Sequence, residues 1–470
     1  AREVEREMAA PGPTGQMTFL SGPFVGLLQG AKIMRGISLL SDATFEEVEK
    51  SQELFRGFDE AAKPYKQLLD IYVAQHFGVQ HAREFLTLYG YETMVVGENA
   101  VGEPYRTVMR EARRLYREKR FFHWDLEFPE AFIDLERATW KENPGFDAVV
   151  GNPPYSASLA ADERRYVEAS LSVTGQGYKN LALHFIEVGC RRSAGLFGFI
   201  VPKSVCYSDG WSPAVQLVWP SLTHAVDASR AWEDVRLEMV VLIADLRGDA
   251  ISYAAGSFVG DRAEEFPVDK RRWERFGVII TSVVEPELHV GESMWKRAHP
   301  MGTVVANFRG LGWQRLCGPT GTIPVVRGDG IGRYEITLNA FIASDAEDGE
   351  EIARQMQRYA HKRVVAQNIV AHVTHPYDHI VIMAALAGAD SVPLDTVNNL
   401  MVKNTPWQLG ALLGLLNSTP MSWYAYRFVY SRAIRTMHFD EAYTGRLPLP
   451  RIAFTTPEPE RARLVGEGKR

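Results

Sequence analysis

Phe146-Asp147-Ala148-Val149-Val150-Gly151-Asn152-Pro153-Pro154-Tyr155 reads as an apolar strand that breaks at a glycine and runs into a rigid Asn-Pro-Pro-aromatic loop. Open α/β sheets place ligands at the carboxyl ends of their strands, which is where this loop falls. Each proline fixes φ near about −65° and removes an amide donor, so the loop carbonyls face outward without local N–H competitors. The Asn152 amide oxygen and the Pro153 carbonyl then form a double acceptor for an exocyclic NH2, and the Tyr155 ring offers a face to a planar base. Asn-Pro and Pro-Pro are also common turn formers. The strand before the loop and the helix-strand pattern after it favour the functional reading.

Working outward, Asn180 to Arg192 has the spacing of an amphipathic helix, while Gly195 to Pro202 and Leu237 to Ala244 read as buried strands. Strand, loop, helix, strand, helix, strand implies βαβ units and a largely parallel sheet. Upstream, Thr18 to Arg120 reads as mostly helical. Ser41 to Glu47 offers a helix cap followed by acids, and Pro64 sits where the first turn of a helix running to Phe77 tolerates it. Arg106, Arg110, Arg113, Arg117 and Arg120 fall on one helix face, for which a solvated surface is favoured over phosphate contact. From about His299, short strand-like runs alternate with glycines and prolines through Tyr334. A helix over 348–359 follows, then strand-like runs over 364–373 and 380–386 and a helix over 407–416, the pattern of a second α/β domain. The charged, proline-containing stretch from Thr455 reads as disordered.

The 470 residues suffice for two or three cores, and 46% apolar with 23% charged residues is ordinary for a globular protein. The longest apolar stretch falls far short of a membrane span, no secretory signal is visible, and no membrane contact is expected. Three widely spaced cysteines, Cys190, Cys206 and Cys317, make neither a disulfide framework nor a zinc site, which fits a reducing cytoplasm. A net charge of −6 argues against indiscriminate nucleic-acid binding but allows a local basic groove. His372, His375 and His379 cluster without an acid or cysteine at ligand spacing, so no metal is expected. Arg327, Arg333, Lys362, Arg363, Arg427, Arg432 and Arg435, interleaved with Trp423, Tyr424, Tyr426 and Tyr430, suit phosphate contact and groove readout as a set. Singly, each is more often structural.

Phe122-His123-Trp124-Asp125-Leu126-Glu127-Phe128-Pro129-Glu130-Ala131-Phe132, followed by the Asn-Pro-Pro-Tyr strand and loop, resembles the gamma-class N6-adenine DNA methyltransferases of restriction-modification and phage-exclusion systems. The type IIG enzymes are nearest in texture. Asn180 to Glu187 and Gly198 to Ser204 look like that family's next helix and strand. Pro324 to Tyr334, Asp395 to Asn399 and Leu412 to Ser418 look like landmarks of its target-recognition domain. The resemblance implies an incomplete Rossmann-like methyltransferase sheet over 121–298, preceded by a mainly helical region over 1–120. A second α/β target-recognition domain over 299–454 and a tail over 455–470 would follow. It implies S-adenosylmethionine as cofactor and double-stranded DNA as partner. Asn152 and the Pro153 carbonyl would accept from the adenine N6 amine, Pro154 would stiffen the loop, and Tyr155 would stack on the base. That base must be flipped out of the duplex. Trp232 lies near the family's second stacking aromatic, although a core role is commoner for such a residue. Arg327, Arg333, Arg432 and Arg435 would contact DNA. A protein-glutamine N5-methyltransferase, whose family also uses Asn-Pro-Pro-Tyr, and a non-catalytic DNA-specificity module are the alternatives. The long region after the catalytic sheet counts against the first.

The family binds its cofactor with a glycine-rich turn, typically Asp-Pro-x-x-Gly-x-Gly, ahead of the catalytic loop, and nothing between Ala1 and Val150 matches it. Gly328-Asp329-Gly330-Ile331-Gly332 imitates such a turn, but Arg333 to Leu338 after it is strand-like and brings no helix N-terminus. The first strands of the sheet, and with them the cofactor-binding residues, are therefore expected in a missing N-terminal portion, in a longer parent chain or a separate subunit. Calorimetry of these 470 residues with S-adenosylmethionine should show no tight binding; micromolar affinity would contradict the expectation.

Overall fold

The computed structural model describes residues 33–459 apart from 42, 138, 156–157, 176–179, 230–236, 260–261, 344–348, 404–406, 435–436 and 452–457. The chain is a mixed α/β protein. Its contacts gather into two compact units, Ala1–Phe199 with Pro213–Ser221 and Ile243–Asp249, and Ile200–Ser212 with Leu222–Leu242 and Ala250–Arg470.

The first unit opens with α1 (Phe45–His76), which Thr44 caps by accepting from the Glu47 amide at 3.2 Å. Pro64 was expected in a first helical turn but lies inside this helix of 32 residues. A proline there forfeits a backbone bond and crowds the preceding turn. Phe58, Ala62, Tyr65, Leu68 and Leu69, buried on both sides of it, carry the helix through. Helix α2 (Tyr105–Lys119) buries Val108, Met109, Ala112 and Leu115. Two members of its basic face meet acids, Arg110 with Glu103 at 2.8 Å and Arg113 with Glu98 at 2.8 Å, and Arg114 beside that face pairs with Glu118 at 2.7 Å. Exposed pairs of this kind add little stability, yet the first two neutralise part of the stripe.

Strand β1 (Phe146–Gly151) is followed by α3 (Ala161–Ser170), α4 (Leu181–Arg192) and β2 (Ser193–Pro202). The Asn180 side chain caps α4 by accepting from the Ala182 amide at 3.0 Å. β1 and β2 run parallel, with Val149 opposite Phe197 and Gly151 opposite Phe199. Both phenylalanines are buried. Gly189 of α4 fits because it has no side chain, since a Cβ there would lie 2.9 Å from the Phe197 ring. The register shifts between Phe146 and Ala148. At that shift Gly195 approaches the Asp147 carbonyl so closely that a Cβ would stand 2.3 Å from its oxygen.

Strands β3 (Leu222–Ser229), β4 (Met239–Asp245), β5 (Ser252–Val259) and β6 (Arg262–Asp269) follow, and β3, β5 and β6 are neighbours in that order. β3 and β5 are parallel, and β6 returns antiparallel to β5. The second unit continues through α5 (Glu285–Trp295) and β7 (Val305–Arg309). Next come β8 (Cys317–Gly318), β9 (Ile323–Val326), β10 (Ala340–Ile342), α6 (Gly349–Arg358) and β11 (Arg363–Gln367). β12 (Ala384–Ala387), β13 (Val392–Pro393), β14 (Val397–Val402) and α7 (Leu409–Leu416) come after these. Two four-stranded sheets result, β7-β14-β11-β12 and β8-β10-β9-β13. Val326, Val365, Ala385 and Val397 form one core, and Val325, Ala340, Ile342 and Ile352 another.

Residues 333–338 were expected to be strand-like. They instead form a turn closed by the Ile331–Ile336 bridge, with Tyr334 at φ 72°, a left-handed conformation no strand accepts. Among the described residues no helix is long and apolar enough to cross a membrane. The stretch beyond Thr455 lies outside the described residues except at 458–459. Gly195→Ala should destabilise the protein by about 1–3 kcal/mol, the range for forcing atoms into a filled site. Gly102→Ala, with open space around it, should leave the denaturation midpoint unchanged, and equal midpoints for the two variants would refute the close approach.

Candidate active-site loop and nucleic-acid interface

The aromatic run before β1 holds the root of that strand. Phe128, Phe132 and Trp124 surround Phe146 with ring centroids at 5.3, 5.6 and 5.9 Å, all at edge angles that suit aromatic quadrupoles. His123 is tied to Asp70 of α1 at 2.8 Å in a buried pair, and burial raises the Asp70 carboxyl above its usual range. Glu127 pairs with Lys66 at 2.8 Å. The carboxyl end of β1 is thus fixed from below, and the loop projects from it.

Asn152 and Pro154 are exposed, Pro153 is buried, and Tyr155 is half-buried. The Tyr155 hydroxyl donates to Asn152 Oδ1, and burial raises its pKa. Acceptor and ring therefore adjoin within one loop. The acceptor is already occupied by a donor that an incoming amino group could displace. The next stretch is anchored by Glu187 of α4, a residue the sequence reading passed over. Its carboxylate accepts from the Thr174 amide at 2.7 Å and hydroxyl at 2.8 Å, and from the Val173 amide at 3.3 Å, and it pairs with Arg191 at 2.5 Å. Its signal was an acid on the apolar face of a helix.

The second unit distributes the basic residues unevenly. Arg432 donates to both Glu287 oxygens at 2.7 and 2.6 Å, and Arg427 reaches the same carboxylate at 2.6 Å. Arg333 donates to the Asn417 carbonyl at 2.7 Å. Arg363 is 1% exposed and donates to Asn399 and to the carbonyls of Tyr359, Gly388 and Ser391, so it braces loops and does not face a groove. Tyr424, Tyr426 and Tyr430 are buried, which makes them core and not stacking platforms. Arg327 stays on the surface beside Asp329, at 3.2 Å. Trp232 and Arg435 lie outside the described residues. Lys203, unremarked in the sequence, is buried with its ammonium 2.6 Å from Asp227 and 3.4 Å from the Arg432 carbonyl. Asp227 also accepts from Ser282 at 2.6 Å. Among the described residues no cluster of potential metal ligands is present.

Residues 79–214 match the family described as Eco57I restriction-modification methylase, and residues 323–449 match the TaqI-like C-terminal specificity domain. The chain carries an Eco57I-type restriction-modification methylase domain and a TaqI-like specificity domain. Asn152 to Tyr155, α4 and Glu187 fall in the methylase domain; Arg327, Arg333, Arg363 and Arg432 fall in the specificity domain. Among solved structures, the chain is similar to the type IIL restriction-modification enzyme MmeI in complex with DNA, at 12% identity. That alignment covers 63% of this chain and 45% of that one, with a TM-score of 0.37. It is also similar to the type IIG restriction endonuclease BpuSI, at 11% identity over 95% of this chain and 71% of that one, with a TM-score of 0.30. The chain thus spans less than half the length of the MmeI chain. No curated protein matches the sequence.

Burial raises the Glu187 carboxyl, but the Thr174 hydroxyl and amide, Arg191 and the Val173 amide outweigh it and hold it below the usual glutamate range. A folded-state value below the unfolded one gives stability that is present above the unfolded pKa and lost as pH falls through the folded one. Exchange protection of the Thr174 amide should therefore decline on acidification below about pH 4, and Glu187→Gln should weaken it already at neutral pH. Identical protection in both proteins across that range would disprove the anchor.

Proposed function

We propose that this chain is the catalytic-loop and target-recognition portion of a site-specific adenine N6 DNA methyltransferase of a restriction-modification system, type IIG-like in organisation. The observation that carries the reading is the Asn152 amide oxygen beside the Tyr155 ring at the carboxyl end of β1, inside an Eco57I-type methylase domain. Asn152 Oδ1 and the Pro153 carbonyl accept from the N6 amine, which takes the place of the Tyr155 hydroxyl and is drawn out of conjugation with the ring. Tyr155 stacks on the flipped adenine. Flipping costs a few kcal/mol of lost stacking and pairing, which the stacking ring and the two acceptors offset.

S-adenosylmethionine is the donor class this reading implies. Its adenosyl and methionyl ends call for a glycine-rich turn between a strand and a helix N-terminus. The described residues do not fit that need: Gly328–Gly330 is a single 3-10 turn that leads into the Ile331–Ile336 bridge. The open side of β1 supports a separate donor-binding portion completing a Rossmann-like sheet. Among the described residues β1 is an edge strand, and on the face away from α4 Val150 is 80% and Leu196 43% exposed. Parallel sheets are ordinarily covered on both faces.

Two other readings make different products. A non-catalytic specificity module binds DNA without transfer, and a protein-glutamine methyltransferase labels protein. With labelled S-adenosylmethionine and the donor-binding portion supplied, label should enter DNA. Asn152→Ala should reduce it by about two orders of magnitude, the scale of losing one preorganised hydrogen-bond partner at a reacting centre. Label in protein, or in DNA at an undiminished rate in the variant, would contradict the proposal.

A further inference from the structure

The Gly328-Asp329-Gly330 turn that imitates a cofactor loop builds something else. Together with residues 310–317 and 393–397 it encloses a cleft of about 330 Å3 lined by Gln314, Cys317, Arg327, Asp329, Leu394 and Thr396. Both walls are fastened to the same strand connection. Gly310 donates to Val397 O at 2.9 Å, Leu311 to Pro393 O at 2.9 Å, and Asp395 returns a bond to Leu311 O at 2.9 Å. On the other wall Gly328 donates to Thr396 Oγ1 at 3.0 Å, and β9 pairs in parallel with β13 immediately before Arg327. Gly328 and Gly330 are needed for the close fit, since a Cβ would stand 2.6 Å from Thr396 O and 2.4 Å from Thr337 O respectively. A side chain carried on such a wall starts from a fixed position, which recognition requires.

The chemistry of the lining selects the ligand. Arg327 presents a guanidinium fork whose companion is Asp329 at 3.2 Å, with the two side chains 45% and 59% exposed. Gln314 holds its amide against Asp395 on the facing wall. The Asp329 carboxylate beside Arg327 repels a phosphate, so the cleft is poorly suited to the DNA backbone. A neutral base edge escapes that repulsion. Arginine binds guanine O6 and N7 through both arms of the fork, a contact worth about 5- to 150-fold in discrimination. An exposed ion pair such as Arg327–Asp329 is worth less than about fivefold, so the guanine edge can take the fork while Asp329 continues to aim it.

We infer that this cleft is a base-reading site of the specificity domain, in which Arg327 recognises a guanine in the major groove. The inference rests on the reading of the chain as a DNA-recognising protein. Gln314 lines the same cleft with its amide held by Asp395. The glycine turn is thus the rigid mount of a specificity-determining residue.

The test is selection of bound duplexes from a randomised pool by the full chain, followed by sequencing and by salt titration on the selected site. The wild-type protein should enrich a motif containing an invariant guanine. Arg327→Ala should bring the preference at that one position below about threefold, leaving the other positions and the salt slope unchanged, as loss of a base contact does. Asp329→Ala should retain the guanine. The surviving positions report that the variant is folded; should Arg327→Ala select nothing, Arg327→Lys, which keeps the charge but not the fork, decides by the same criterion. An unchanged motif in the decisive variant, or uniform weakening with a salt slope reduced by about one, the mark of a phosphate contact, would overturn the inference. A wild-type protein that enriches no motif overturns the DNA-recognition reading, and the inference falls with it.

Discussion

The parallel pairing of β1 with β2 is the constraint on which the candidate active site depends, because among the described residues β1 has a strand neighbour on one side only. Its direction is set by the register with Phe197 and Phe199 and by the aromatic cage around Phe146. The side chains facing α4 are packed against a helix that must have glycine at 189. With both ends of the strand so defined, the prolines after it convert a fixed strand end into a fixed pair of acceptors. A loop of the same four residues on a strand free to slip would hold no geometry, since a shift by one residue turns every side chain to the opposite face.

Much of this was legible in the sequence where a local rule and the tertiary demand coincide. The β1 strand, the Asn180-capped α4 and β2 follow from apolar runs, a cap residue and a glycine break, and the structure places them at Phe146–Gly151, Leu181–Arg192 and Ser193–Pro202. Pro64 shows where local rules fail. Its backbone cost is real, yet five buried neighbours outweigh it, and no periodicity count reveals that balance. Arg333 to Leu338 fails for the opposite reason, because alternation suggested a strand while the left-handed Tyr334 bends the chain into a turn.

The basic residues of the specificity domain were the least legible. Composition places arginines near aromatics but cannot say which arginine has an acid of its own. Glu287, far away in sequence, takes Arg427 and Arg432, and Arg363 is consumed by three carbonyls and Asn399. A buried guanidinium needs partners for its donors because leaving them unmet is costly. These arginines therefore hold loops in place, and the surface is left to the few whose partners are weak. Lys203 with Asp227 and Ser282 obeys the same rule on the methylase side of the sequence.

The central claim is that the loop at the end of β1 is a cradle for the amino group of adenine. The most direct measurement is nucleoside mass spectrometry of duplex DNA incubated with S-adenosylmethionine, this chain and the proposed donor-binding portion. The account predicts N6-methyladenine as the methylated nucleoside. Methylation at a cytosine, or a methylated glutamine in protein with unmodified DNA, would contradict it.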